Sequence, residues 1–225
     1  MKTSENLVVG KPKSKPKSGR TRFNLAAKAA TIVVAALLGL GAIYWFNTPG
    51  RGTSTGKYKF QIGNPGPGQM APPIRLASDI GGTFDLASAR GRTVLLYFQE
   101  GLTCQPCWDQ LKDIEKNGDD LRALGIDLIV SITTDPVELL RQEAIAMRLH
   151  TPILSDPDLA VSKSYQANSY GMMGASRDGH TFIVIGPDGL IKWRADYGGA
   201  PDYTMYIPVP DLLADLRRGL GKTNG

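Results

Sequence analysis

Residues 93–108 read TVLLYFQEGLTCQPCW, and the fold is decided by how this stretch changes character halfway along. Its first seven residues form a continuous apolar run with β-branched and aromatic members, suited to a strand buried on both faces. Cys104 and Cys107 follow, three residues apart, where the strand passes into a helix. A cysteine at a helix start meets unpaired N–H groups and the positive end of the helix dipole, and both favour the reactive thiolate. Three residues on, Cys107 returns to nearly the same face, within reach of a disulfide with Cys104. Pro106 lacks an N–H, but in a first turn that group would have no partner. The pair is expected to cycle between dithiol and disulfide, with Cys104 the exposed attacker and Cys107 the resolver. Thr103 and Glu100 flank it, and the Glu100 carboxyl is a candidate proton carrier for Cys107.

Two plainer roles compete. A structural disulfide would close so short a loop that it constrains the unfolded chain little. The only other zinc-ligand candidates of the imidazole type are His150 and His180. His150 follows an amphipathic helix and reads as a surface residue. No cofactor is called for.

Outward from the cysteines, residues 108–117 predict a helix with Gly118 as its stop, and 126–133 a strand. Residues 136–149 predict a second helix, Pro136 in its first turn and Asp135 as cap. A shorter helix over 156–165 precedes strands at 181–185 and 190–195, which flank the hairpin turn Gly186-Pro187-Asp188-Gly189. A helix over 211–220 closes the pattern. This order predicts an α/β fold with a central mixed sheet flanked by helices.

The amino-terminal third is different. Residues 1–28 hold eight basic side chains against one acid, leaving 18 basic and 20 acidic residues elsewhere, so the folded part offers no basis for nucleic-acid binding. Two Lys-Pro-Lys-Ser repeats mark 1–28 as a disordered cationic tail. Residues 29–46 carry no charge and end in Tyr44-Trp45-Phe46, which predicts one transmembrane helix. The basic excess before it places the amino terminus in the cytoplasm and the rest outside, with membrane lipid as a partner of the helix. A cleaved signal peptide is the rival, although no Ala-x-Ala pattern follows Phe46. Residues 47–69, rich in Gly, Pro, Ser and Thr, predict a flexible linker, and 70–225 the folded domain.

Several stretches together resemble the alkyl hydroperoxide reductase/thiol-specific antioxidant group, the redoxin branch of the thioredoxin fold. They are Gly68-Gln69-Met70-Ala71-Pro72, residues 81–86 and 91–98 with the cysteine pair, Pro152 to Asp158, Tyr165, and Thr181 to Ile185 with its turn. The likeness spans about residues 68–220 and implies a thioredoxin-like fold. Peroxiredoxins carry Pro-x-x-x-Thr-x-x-Cys; here Cys107 falls at their peroxidatic cysteine, Cys104 at the threonine and Glu100 at the proline. Their arginine before the late strand falls at Gly179, with Arg177 nearby. Membrane-tethered thioredoxin-like reductases keep Cys-x-x-Cys, often with proline before the second cysteine, but have a cis-proline at about Gly179 and a tryptophan before the first cysteine. The resemblance thus implies a membrane-anchored thiol–disulfide oxidoreductase acting on a protein thiol or disulfide. A peroxidase acting on hydroperoxides is the alternative. A Sco-like copper chaperone, binding copper through Cys104, Cys107 and His180, is a further one, with Met172-Met173 in a nearby loop.

Overall fold

The structure, a computed structural model, describes residues 32–40 and 56–222. The chain divides into two units, residues 1–48 and 49–225. In the first, residues 32–40 form helix α1, exposed along its length. The rest of the span expected at 29–46 lies outside the described residues, as do the tail 1–28 and residues 47–55. Among the described residues, no helix is long and apolar enough to cross a membrane.

The second unit is a seven-stranded mixed sheet with helices on it. Its strands are β1 (Arg75–Ser78), β2 (Thr83–Asp85), β3 (Val94–Phe98), β4 (Leu128–Thr133), β5 (Ile153–Ser155), β6 (Thr181–Ile185) and β7 (Ile191–Asp196), in the order β2-β1-β5-β4-β3-β6-β7. The apolar run of β3 is central, parallel to β4 and antiparallel to β6. All five of its residues are buried, as continuous hydrophobic strands are when both faces are covered. Leu95 and Tyr97 face one core, with Trp108, Leu111 and Phe182; Val94, Leu96 and Phe98 face the other, with Ile74, Leu154 and Tyr165. This alternation is the period of two that a strand imposes.

The helices are α2 (Gln105–Lys116), α3 (Gly118–Ala123), α4 (Val137–Met147), α5 (Ala160–Ser164) and α6 (Val209–Gly219). Three expectations change here. Gly118 does not end helical structure but opens α3, with Asn117 between the two helices. Pro136, not Asp135, stands at the cap of α4, because the Asp135 carboxylate is engaged elsewhere. Residues 57–69 are no tether. Gln61 and Asp196 exchange backbone hydrogen bonds at 3.0 and 2.9 Å, and the Phe60 ring packs edge-on to Tyr197 with centroids 5.3 Å apart. The fully buried Arg194–Asp196 pair pins this segment: Asp196 accepts from the Gly63 N–H at 2.6 Å, and Arg194 donates to the Pro65 carbonyl at 3.0 Å. A buried pair tolerates its desolvation when its remaining donors and acceptors are filled in this way.

Candidate redox site

β3 ends at Phe98, and the chain must turn sharply to start α2. Gly101 makes the turn with φ +81°, and a Cβ there would stand 1.8 Å from Asp135 Oδ2, so both conformation and space demand glycine. The Asp135 carboxylate accepts from the Leu102 N–H at 2.8 Å, tying the turn to the end of β4. Trp108, fully buried, donates its indole N–H to the Gly101 carbonyl at 3.0 Å, fixing the first turn of α2 from below.

Cys104 occupies the cap position of α2, and its sulfur accepts from the Cys107 N–H at 3.3 Å. Cys104 and Cys107 are joined in a disulfide, with Cα atoms 5.3 Å apart. Spacing and helical position are as the sequence implied; exposure is not. Cys104 retains 6% of its accessible surface and Cys107 none. The expected exposed attacker is a nearly covered one, because Met205 packs with both cysteines in a small apolar cluster. Pro106 lies in the first turn of α2 and is exposed, as is Thr103 in the short 3-10 turn before it.

Glu100, nearly buried, lies close enough to Tyr97 that its charge, added to burial, pushes the phenol pKa well up. Its carboxylate accepts from the Met172 N–H and, at 3.1 Å, the Met173 N–H. Those bonds, rather than a bond to Cys107, occupy the group expected to carry a proton. Arg177 donates to the Glu100 carbonyl and to Asp135, both at 2.9 Å. The 170–179 loop is therefore fastened to the cysteine loop at both ends.

His180 lies at the start of β6, wholly buried, with its Nδ1 3.4 Å from the Tyr97 hydroxyl. That hydroxyl donates to the Cys107 carbonyl at 3.2 Å. Burial pushes the imidazole pKa down to about 3, only partly offset by the Met205 backbone, and Nε2 has no hydrogen-bond partner. The ring is neutral at ordinary pH and reaches the cysteines through Tyr97. His150 is on the surface, paired with Glu115 at 2.9 Å. Among the described residues, no group of three or more His, Cys, Asp or Glu side chains is placed to hold a metal ion.

Sequence reasoning missed Asp178 and Met205, and gave Asp135 only as a helix cap and Arg177 only as a neighbour of Gly179. Asp178 is buried with neither carboxylate oxygen hydrogen-bonded, and burial, opposed by Ser162 and reinforced by Asp156, pushes its pKa well up. The partners named for them lie 16 to 101 positions away in the chain, which no local pattern reports.

A two-cysteine turn at the start of a helix, directly after the central strand of such a sheet, defines a thioredoxin-like thiol redox domain. The chain belongs to the AhpC/TSA family, whose model matches residues 67–194, and it is a thiol-dependent oxidoreductase. It is 34% identical over 130 residues to Rv2521 of Mycobacterium tuberculosis (strain H37Rv), whose name assigns it to the peroxiredoxins. It is 30% identical over 128 residues to peroxiredoxin Bcp of Escherichia coli (strain K12), and each match covers 56% of this chain and 81% of the relative. Among solved structures, peroxidoxin BcpB of Mycobacterium tuberculosis superposes with a TM-score of 0.57 at 19% identity, over 68% of this chain and 97% of that one. The AhpC of Mycobacterium bovis gives 0.55 at 15% identity, over 71% and 94%. The structural likenesses establish the fold alone.

Proposed function

We propose that the domain is a peroxiredoxin-like thiol peroxidase, with Cys107 as the attacked sulfur and Cys104 as its resolving partner. The observation that carries the reading is the position of Cys107, in the first turn of α2 behind β3 and already bonded to a second sulfur. The Cys107 thiolate attacks one peroxide oxygen, the O–O bond breaks, and the alcohol leaves with a proton. Cys107 is then a sulfenic acid. The Cys104 thiolate attacks that sulfur and expels hydroxide, which leaves as water, giving the disulfide seen. An external dithiol returns two electrons and two protons. Because both sulfurs share one helical turn, resolution needs no unwinding of α2.

Thiol–disulfide exchange is the second reading. It is favoured by Cys104 holding all the pair's remaining exposure, and by Glu100, Cys104 and Gly179 standing where peroxiredoxins place their proline, threonine and arginine. The threonine and arginine supply the hydrogen-bond and cationic environment that stabilises developing charge on a peroxide. In this reading Cys104 attacks the partner disulfide and expels one partner sulfur as thiolate, and Cys107 then attacks the Cys104 sulfur and releases the other.

The two readings separate in one assay: turnover of hydroperoxide and of a protein disulfide by the full chain, Cys104→Ser and Cys107→Ser. The peroxidase reading requires that Cys104→Ser still consume one equivalent of peroxide while Cys107→Ser consumes none. Loss of disulfide turnover in Cys104→Ser, with no peroxide consumed by any form, favours exchange.

The anchor belongs to the same proposal. Residues 29–46 hold the domain at the outer face of the membrane, an inference supported by their charge-free composition and by the basic residues before them. Extraction of the chain by alkaline carbonate, or its protection from external protease in intact cells, would overturn this.

A further inference from the structure

We propose that Met205 is a gate over the disulfide, carried on a movable strap of residues 198–208, and that it selects small dithiols over protein-sized ones as reductants. The inference deepens the redox reading of the cysteine pair and rests on it.

Reduction requires a thiolate to approach a sulfur in line with the S–S bond. It breaks that bond, releases the Cys107 sulfur as thiolate and leaves a mixed disulfide on Cys104; the reductant's second thiol then attacks and departs as a cyclic disulfide. Nearly all of that approach is closed. Cys107 has no exposed surface, Cys104 has 6%, and the apolar side chain grouped with both is Met205, itself 8% exposed.

The strap has the build of a movable element. It belongs to no helix or strand, begins Gly198-Gly199-Ala200-Pro201, and keeps residues 200–203 exposed, with Tyr203 at φ +44°. It is held at the Ala200 carbonyl, which accepts from Gln61 Nε2 at 2.6 Å, and again on either side of Met205. The Thr204 N–H donates to the Tyr197 carbonyl at 3.1 Å, and the Ile207 N–H to Gln110 Oε1 at 2.6 Å, with Tyr206 bonded to Asp113 beside it. Gln110 and Asp113 both stand on α2, the helix that begins at the cysteines. A small reagent reaches the disulfide at the surface Cys104 retains; a protein dithiol needs Met205 and the strap that carries it to move aside.

The test follows reduction of Cys104–Cys107 by mass-tagged thiol alkylation in the full chain held in detergent. The reductants are dithiothreitol and a reduced thioredoxin. In the wild type, the rate with thioredoxin should reach a plateau as its concentration rises, while that with dithiothreitol stays linear. Met205→Ala should raise the thioredoxin rate by about tenfold and the dithiothreitol rate by less, as expected when local opening limits access. Met205→Leu, similar in volume, should stay within about twofold of wild type. A linear thioredoxin dependence in the wild type overturns the gate even if Met205→Ala fails to fold. Equal acceleration of both reductants by Met205→Ala also overturns it. Since no peroxide is present, loss of the peroxidase reading leaves this result untouched.

Discussion

Gly179 stands where relatives of this fold carry an arginine or a cis-proline, and replacing it even with alanine should be severe. A Cβ there would lie 1.5 Å from the Tyr170 carbonyl oxygen and 1.9 Å from its carbon. Ordinary contact needs more than 3 Å, and both obstacles are backbone, so no rotamer change relieves them. The two segments must part by nearly 2 Å. That breaks the bond from the His180 N–H to the Tyr170 carbonyl and the one from the Gly179 N–H to the Ala167 carbonyl, each 3.0 Å. Two hydrogen bonds contribute about 2 kcal/mol, and leaving their groups buried and unpaired adds about 1–3 kcal/mol. The expected loss, about 3–5 kcal/mol, is a large part of the stability of a domain this size. Equilibrium urea unfolding followed by tryptophan fluorescence measures it. Gly174→Ala is the comparison: φ is +63° but the surrounding space is open, so its cost should be near 1 kcal/mol. A Gly179→Ala loss no larger than that of Gly174→Ala would refute the close-contact reasoning.

Arg177→Ala should cost about 3 kcal/mol in the same assay, because it leaves the nearly buried Asp135 carboxylate unpaired. Both Arg177 bonds come from one nitrogen, so Arg177→Lys should recover at least half of that; no recovery would show that the planar guanidinium is needed. His180 gives a pH dependence. Its folded pKa of about 3 lies below its ordinary 6.5, so below pH 6.5 the unfolded chain takes up a proton that the folded one refuses. Stability from this group is fully present above pH 6.5 and lost as pH falls toward 3, amounting to about 2 kcal/mol by pH 5. His180→Phe should flatten that part of the stability–pH curve, and an unchanged slope would refute the assignment.

The parts legible in the sequence are those where one local rule acts alone. β3 and β6 announce themselves as unbroken apolar runs because both faces are covered, and the Gly-Pro-Asp-Gly turn between β6 and β7 needs nothing distant to form. Cys104 and Cys107 were readable because their spacing is that of a helical turn. Asp135 was misjudged as a cap because an acid before a proline usually is one; here tertiary demand from Leu102 and Arg177 wins. Arg194 and Asp196 are buried beneath residues 61–65, which lie about 130 positions earlier in the chain and carry no local mark of that contact. The burial of the cysteines was equally invisible, since Met205 lies about a hundred residues beyond them with no pattern to mark it.

Of the three positions that depart from the peroxiredoxin pattern, Glu100 and Gly179 meet through the segment 170–173. With Cys104 in place of threonine, a second sulfur sits beside Cys107, bonded to it. With Glu100 in place of proline, the cysteine loop gains a carboxylate that holds the Met172 and Met173 N–H groups. With Gly179 in place of arginine, the Tyr170 backbone lies directly against Gly179 and His180, with the Met172 and Met173 N–H groups following within reach of Glu100. Gly179 thus leaves room for the segment whose N–H groups Glu100 holds. Restoring arginine at Gly179 alone would collide with Tyr170, and removing Glu100 alone would strand two N–H groups, so single reversions should lose stability without gaining a peroxide-binding arrangement.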